Sequence, residues 1–422
     1  MHRTGLKAAL SMVLLAVSSF AAHAEEEERD TGVLGRERPE YDAPGVPMGA
    51  FTLYPSLSVA VGTDDNVFAT ETAQVDDFFG SVNPAAILKS NWSRHKLELD
   101  AHALATTFNE NPDEDQFEWG VGGKGHLDLT NSSVLRADVH FNRIGEERGS
   151  IDASSLAAEP THYNMATGSL GFTHKVNRFS FGVSGRVTSF DYDDPAQIGG
   201  GLVDQDFRDK TVTETTATFK YDLSPGFRAV VQGKMNERDY DLEPTDPGFV
   251  VGVDFNRDST GYSVAGGVEF EVTSLVNGSV TLGHMQQEYD DVSFDTLDGV
   301  SFAADLKWSL SGMTDLRVQG GRTAEDSLSS TSGGRLATQV GAAIDHELLR
   351  NVIATVEGSH TNYEFEGNLR EEELVRAGAG FKYLVHRNVA LGLGYQFVDR
   401  TSNVVGLDHA RHVVQLNFRL QL

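Results

Sequence analysis

The feature that most constrains this chain is an alternation of apolar and polar residues with a period of two. It recurs from about residue 49 to the last residue. In residues 95–108, for example, Leu97, Leu99 and three alanines share one face, and charged residues occupy the other. Successive side chains of a β-strand point to opposite faces, so this period predicts strands. The chain is therefore expected to be all-β.

The predicted strands are joined by connectors of two kinds. Longer, acidic connectors such as "NENPDEDQ" and "DYDDPAQIGGGLVDQD" alternate with short ones rich in turn-forming residues. Short turns at one end and long loops at the other are typical of an outer-membrane barrel, whose short turns face the periplasm. The short turns lie at residues 91–95, 130–133, 175–179, 223–226, 275–278, 311–315, 349–351 and 386–388.

These turns predict a transmembrane antiparallel up-and-down β-barrel of about 18 strands, within a range of 16 to 18. The expected strands include residues 50–62, 78–90, 96–108, 116–130 and, at the end, 408–422. A soluble β-sandwich or β-solenoid would show the same alternation. The membrane interpretation therefore needs support from other features.

Aromatic residues give some of that support, because membrane barrels carry an aromatic girdle at each interface. Beside the short turns lie Tyr54, Trp92, Phe179, Tyr221, Phe227, Trp308 and Tyr383. Near the long loops lie Phe108, Tyr240, Tyr289 and Tyr363. Both girdles are thus expected.

The N-terminus supports export. Residues 1–24 carry a basic start, an apolar run and the sequence "AHA" before Glu25, which predicts a cleaved signal peptide. The apolar run is short for a membrane-spanning helix. Residues 25–49 are charged, rich in Pro and Gly, and without a period, which predicts a flexible periplasmic leader. A plug or docking peptide is the alternative for this leader. Residues 50–422 form the predicted barrel domain.

Composition excludes several classes of function. There are no cysteines, so disulfide frameworks and thiolate metal sites are ruled out. The formal net charge of −28 argues against nucleic acid as a partner, because phosphate binding needs a basic excess. The acidic loops offer oxygen ligands for calcium, but their spacing matches no known calcium loop, so solvation is favoured. No metal and no cofactor are predicted.

Two motifs with a chemical precedent have simpler explanations. "GVGGKG" matches a dinucleotide fingerprint at Gly120, Gly122 and Gly125, but a strand continues where phosphate binding needs a helix. The glycines are interpreted as room for a neighbouring side chain or as sheet curvature. Ser263 in "GYSVAG" lies within a strand rather than on a nucleophile turn, so no enzyme is predicted.

His409 and His412 resemble a metal-binding pair. Their odd spacing on a strand points the two rings to opposite faces, which argues against a shared ion. They are interpreted as solvated or inward-facing histidines.

The polar faces of the strands predict the lining of a channel. A barrel of about this strand number is too wide for its side chains to fill, so a water channel is expected unless loops close it. The alternative is that these groups form internal salt bridges that keep the barrel rigid. The predicted pore-lining residues are Lys96, Glu98, Asp100, His102, Arg136, Asp138, His140, Asn142, Arg186, Gln232, Lys234, Arg317, Gln319, Gln415, Asn417 and Arg419.

The last strand carries a further pattern. Its apolar face resembles the C-terminal signal that the barrel assembly machinery recognises, except that the usual final aromatic residue is replaced by leucine. The residues of this face are Val414, Leu416, Phe418, Leu420 and Leu422.

Two stretches carry a resemblance to a known family. They are "RERPEYDAPGVPMGAFTLYPSLSVAVGTDDNVFA" (36–69) and "HRNVALGLGYQFVDRTSNVVGLDHARHVVQLNF" (386–418). Both are similar to outer-membrane β-barrel porins associated with exopolysaccharide production and export. The resemblance implies passive passage of exopolysaccharide across the outer membrane of a Gram-negative bacterium, with polysaccharide and periplasmic export components as candidate partners.

Membrane lipid, lipopolysaccharide and the assembly machinery are expected partners of any such barrel. Two other functions stay open. One is a general diffusion porin for small hydrophilic solutes, and the other is a structural or adhesive barrel that transports nothing.

Overall fold

The computed structural model describes residues 32–246, 249, 254–273, 275–328 and 332–422. The predicted signal peptide, residues 1–24, and the first part of the predicted leader, residues 25–31, lie outside the described residues. Within the described part of the chain, no helix is long and apolar enough to cross a membrane.

The described chain forms nineteen strands and two short 3₁₀ helices, Pro112–Glu114 and Asp206–Arg208. The strands are β1 Val46–Met48, β2 Phe51–Asp64, β3 Asp77–Ser90, β4 Lys96–Phe108, β5 Gln116–Thr130, β6 Ser133–Gly145, β7 His162–Val176, β8 Phe179–Tyr192, β9 Lys210–Ser224, β10 Phe227–Tyr240, β11 Ser259–Thr273, β12 Val276–Tyr289, β13 Leu297–Ser311, β14 Thr314–Asp326, β15 Gly334–Leu349, β16 Val352–Phe365, β17 Glu371–His386, β18 Val389–Ser402 and β19 His409–Gln421.

Strands β2 to β19 form one closed barrel. Each pairs antiparallel with its sequence neighbours, and β19 pairs with β2 from Ser56–Gln421 to Asp64–Val413, which closes the ring at 18 strands. The predicted up-and-down barrel of about 18 strands is confirmed. The eight predicted short turns all lie at one end, here called the short-turn end, and the longer connectors lie at the other, the long-loop end.

Strand β1 lies beside the seam where β19 meets β2. It pairs with Phe51 to Leu53 of β2, whereas the pairing of β19 with β2 begins at Ser56. The amide of Leu422 donates to the carbonyl of Pro55 at 3.1 Å. Strand β1 therefore continues along β2 from the place where the C-terminal strand stops, within the segment that the sequence assigned to the leader.

The two faces of the barrel differ in chemistry. On the outer face, large apolar side chains are exposed, as at Leu99 and Val61. On the inner face of the same strands, charged groups meet, as in the 3.1 Å ion pair between Lys89 and Glu98. An exposed apolar band on a closed sheet is the surface that lipid covers. The residues of the predicted assembly signal lie on this outer face, where they are 41–57% exposed. Their role in assembly stays a prediction.

The aromatic girdle at the short-turn end is largely as predicted. Trp92, Phe179, Phe227, Trp308 and Tyr383 are exposed. Tyr54 differs, because its register with Ile87 places it on the inner face, where it packs beside Gly45.

The predicted girdle at the long-loop end is wrong. Tyr240 and Tyr363 are buried on the inner face at only 3% exposed each. The Arg335 guanidinium lies 5.3 Å from the Tyr363 ring centre, and Lys210 lies 5.0 Å from that of Tyr240. The strand register also places Phe108 and Tyr289 on the inner face. All four rings thus face the interior instead of lipid, and those of Tyr240 and Tyr363 pack against cations.

Candidate pore and its constriction

The inner face carries every residue that the sequence predicted as pore-lining. The strand register places the predicted residues of β4 and β6, such as Lys96, Asp100 and Asp138, on the inward side. The other predicted residues lie on the inward sides of β8, β10, β14 and β19. Some of them form internal pairs: His140 contacts Asp138 at 3.1 Å. That pairing agrees with the alternative of internal bracing for these residues. Their contact with a passing solute stays a prediction.

Two glycines of the "GVGGKG" motif make room on this inner face. A Cβ at Gly122 would overlap the ring of His140, and one at Gly120 would lie 2.6 Å from Cε1 of His102. Both glycines are within strand β5 and lead into more strand, not into a helix. The interpretation as room for neighbouring side chains is confirmed for Gly120 and Gly122, whereas a Cβ at Gly125 would make only an ordinary contact at 3.9 Å.

The loop between β6 and β7, residues 146–161, crosses the lumen; we call it the crossing loop. Its Asp152 accepts two hydrogen bonds from Arg335 of β15, at 2.9 and 3.0 Å. Strand β15 lies nine positions from β6 in a ring of eighteen, on the opposite wall. The crossing loop therefore reaches from one wall of the barrel to the other.

Further contacts hold the tip of the crossing loop against β17 to β19. Arg400 donates to the carbonyl of Ser150 at 3.0 Å, and Arg376 contacts Glu147 at 3.4 Å. Gly149 lies so close to the His409 ring that a Cβ there would overlap it. The tip is thus bound at several points to one region of wall.

The base of the crossing loop is also fixed. Arg208 donates to both carboxylate oxygens of Glu146, at 2.8 and 3.1 Å. Arg148 donates to Glu114 at 2.8 Å and to two carbonyls of the same loop at 2.7 and 2.9 Å. Bidentate pairs of this kind orient both partners, so the loop is braced at its base and its tip.

The electrostatics of the loop favour the charged pairs. Burial alone would raise the pKa of Asp152, but the neighbouring Arg335 outweighs it, and the pKa of Asp152 lies below its ordinary value. Burial would lower the pKa of Arg208, yet the bonds to Glu146 raise it. Both groups are therefore charged at neutral pH.

A cavity of about 180 Å³ remains between the crossing loop and the wall. Its wall side includes Phe79, Phe108 and Gln396, and its loop side includes Glu147 and Arg148. The crossing loop thus leaves open space toward the first strands of the barrel and the last two.

The short-turn end of the lumen holds a second inward segment, residues 32–45, which we call the N-terminal strap. Arg38 is 4% exposed and donates to Glu347 at 2.8 Å, to the carbonyl of Val33 at 2.8 Å and to that of Arg350 at 3.2 Å. The amide of Val33 also bonds the Asp315 carboxylate. The predicted flexible leader is, over the part that the structure describes, bound to the inner wall.

The serine and the two histidines that the sequence analysis considered as catalytic or metal-binding residues do not come together in one site. Ser263 faces inward in mid-strand, opposite Lys234 and Met285. His409 is 5% exposed on the inner face, whereas His412 is exposed and bonds Tyr395 at 2.8 Å. The two histidines lie on opposite faces, as their spacing predicts.

Three carboxylates lie close together at the long-loop end. Carboxylate oxygens of Asp194, Asp204 and Asp206 lie within 4.8 Å of one another. Three exposed or half-exposed carboxylates in a loop are common without an ion, so their proximity does not identify a metal site.

The sequence did not single out the residues that build the constriction. Arg335, Arg376 and Arg400 occupy inward positions of their strands, so the period of two assigns each to the inner face. Their contacts with the crossing loop join residues 183 to 250 positions apart, and no local pattern records such pairs.

Solved structures of outer-membrane proteins from Pseudomonas aeruginosa are similar to this chain over most of its length. OpdO is 12% identical, with 88% of this chain and 97% of that chain covered and a TM-score of 0.45. OccK2 (OpdF) is 10% identical, with 88% and 98% covered and a TM-score of 0.46. OpdK is 9% identical, with 88% and 99% covered and a TM-score of 0.43. No curated protein sequence matches the chain.

A family model covers nearly all of the chain. The match runs over residues 38–422, from Arg38 of the strap to the final leucine of the chain. It includes every strand of the closed barrel and the crossing loop. The chain is a porin-like outer-membrane barrel and belongs to the family described as "Putative beta-barrel porin 2".

Proposed function

We propose that this barrel is a passive porin for small hydrophilic solutes. The observation that carries the proposal is the crossing loop, whose Asp152 bonds Arg335 on the opposite wall. A loop that crosses a polar lumen narrows the passage without removing its water-accessible lining. Mixed charges and amides on the wall can exchange hydrogen bonds with a hydrated solute as it moves.

The passage of exopolysaccharide has its support in the family resemblance alone. A polymer needs a continuous wide lumen, whereas the braced crossing loop and the N-terminal strap both occupy lumen space in this fold. Small solutes therefore suit the described geometry better. A structural barrel with no transport would need the remaining openings to be sealed.

Liposome swelling tests the proposal directly. Refolded protein is placed in vesicles, and entry is followed for a series of neutral sugars from a pentose to a trisaccharide. The expected result is a rate that falls steeply with solute size, as for a narrow water-filled passage. Empty vesicles give the background.

Two outcomes would count against a diffusion porin. Absence of swelling by a protein that runs as a folded, heat-modifiable barrel would favour the structural role. Equal entry of the trisaccharide and the pentose, together with loss of secreted polysaccharide in a deletion strain, would favour the polymer conduit.

A further inference from the structure

Most buried arginines of the described chain donate to carboxylate or main-chain carbonyl oxygens. Six arginines are more than nine-tenths buried. Four of them contact a carboxylate, in the pairs Arg38–Glu347, Arg208–Glu146, Arg335–Asp152 and Arg400–Glu372. A fifth, Arg257, donates to two main-chain carbonyl oxygens.

Arg419 differs from these five arginines, because it donates to neither a carboxylate nor a carbonyl oxygen among the described residues. It is 7% exposed, and its one hydrogen bond among the described residues goes to the hydroxyl of Ser56, at 3.0 Å. A guanidinium carries five N–H donors and a full charge. Burial of such a charge without an anion is costly, and where it persists inside a membrane protein it marks a functional site by default.

A second unpaired cation lies close to Arg419. Lys382 projects inward from β17, and within the described part of the chain no ion pair or hydrogen bond involves its side chain. It lies within electrostatic range of two cations, Arg419 and Arg38, and of one carboxylate, Asp42. Arg38 is already held by Glu347, whereas among the described residues no carboxylate makes a direct ion pair with Lys382 or Arg419.

The strand between these two cations presents small residues to the inner face. Strand β18 separates β17 from β19, and its inward residues here are Gly392, opposite Lys382, and Ala390, opposite Arg419. A glycine and an alanine project less far from the wall than the lysine and arginine on either side of them. The N-terminal strap passes nearby, since Gln421 of β19 donates to the carbonyl of Tyr41 at 3.5 Å.

We propose that Lys382 and Arg419 form a binding site for a small oxyanion, a carboxylate or a phosphate, on the inner wall at the short-turn end. An ammonium and a guanidinium on the inner face, on either side of a strand with small residues, can donate to one such group from two sides. The proposal rests on the proposed function, because it names the class of solute that the passage would favour.

The test is single-channel recording of the refolded protein in a planar bilayer with chloride as the carrier ion. Inorganic phosphate and acetate are added separately, so that the two sources of oxyanion chemistry are distinguished. For the wild type, at least one of them is expected to reduce the chloride current in a saturable manner. In Lys382→Gln the apparent dissociation constant should rise about tenfold.

A matched control is Lys124→Gln, which removes the same charge from the inner face of β5. It should retain the wild-type dependence on the oxyanion. Arg419→Lys keeps the charge and serves as a second variant if Arg419→Gln fails to fold, and it should weaken the block less than Lys382→Gln does. Equal block in the wild type and Lys382→Gln would overturn the proposal, as would the absence of block in the wild type.

Equilibrium binding distinguishes failure of the proposed porin function from failure of the proposed oxyanion site. If the folded barrel shows no conductance, titration calorimetry of the detergent-solubilised protein with inorganic phosphate and with acetate decides the matter. Binding that Lys382→Gln abolishes would support the site while the proposed porin function fails. No binding of either probe would overturn the site itself.

Discussion

Asp152 of the crossing loop accepts hydrogen bonds from both terminal nitrogens of Arg335, which lies on the wall opposite the strand from which the loop starts. The guanidinium of Arg335 also donates to Glu325 at 3.2 Å, so one cation serves two carboxylates. The position of the loop thus depends on a contact that neither strand β6 nor strand β7 supplies.

Asp152→Asn should loosen the attachment of the crossing loop to β15. The neutral amide loses the charge-assisted pair with Arg335, while Arg400 and Arg376 still contact the tip, so we expect a larger and noisier single-channel conductance. The barrel should stay folded, as shown by an electrophoretic mobility that changes when the sample is heated. Asp295→Asn, in an exposed position of another loop, is the matched control. A conductance of Asp152→Asn equal to that of the control would contradict the bracing role of this pair.

Arg38→Ala should loosen the N-terminal strap. It leaves Glu347 with only the 3.2 Å contact to Arg36, and it removes the donors to the carbonyls of Val33 and Arg350. We expect the free energy of unfolding to fall by about 2 kcal/mol. Urea unfolding in detergent measures it, and limited trypsin digestion should cut the strap earlier than in the wild type. Arg94→Ala, at an exposed short turn, should behave as the wild type does in both assays.

Gly122→Ala should destabilise the barrel because its Cβ overlaps the His140 ring. The expected loss is about 1–3 kcal/mol of unfolding free energy, the usual cost of overpacking. Gly168→Ala is the matched control, since its Cβ would meet no atom within 4 Å. Equal unfolding midpoints for the two variants would show that the wall can move to accommodate the methyl group.

The loop between β8 and β9 should show a pH dependence. Burial, with the nearby carboxylates of Asp191, Asp206 and Asp241, raises the pKa of Asp209 to about 6, although the amide of Tyr192 donates to it. The folded state therefore holds a proton that the unfolded chain releases near pH 4. Since the folded state binds more protons in this range, its stability falls as the pH rises from about 4 to about 6.

Asp209→Asn removes that titration and keeps an acceptor for the Tyr192 amide. The difference in unfolding free energy between Asp209→Asn and the wild type should therefore shift in favour of the variant as the pH rises through this window. Urea unfolding at pH 4, 5, 6 and 7 measures it. A difference that is constant across the four values would assign the ordinary pKa of 3.8 to Asp209.

The sequence predicts the wall of this barrel far better than its interior. The stretch "YLVHRNVALGLGY" contains both the period of two and a turn, and the structure ends β17 at His386 and starts β18 at Val389. Such features are local, because strand period and turn chemistry act over a few residues. The strap and the crossing loop depend instead on single long-range contacts of Arg38 and Arg335. The composition of a Pro- and Gly-rich segment predicts flexibility, because the composition does not record contacts with distant residues.

Strand β1 covers a stretch of β2 that could otherwise pair with another molecule. The stretch Phe51 to Leu53 extends past the end of β19, and an unpaired stretch of strand offers its amides and carbonyls to any neighbouring chain. Strand β1 occupies those groups from within the same molecule, and Pro55, next to the gap, has no amide hydrogen to offer. Among the described residues, this exposed stretch of the closed sheet is in this way protected against edge-to-edge aggregation.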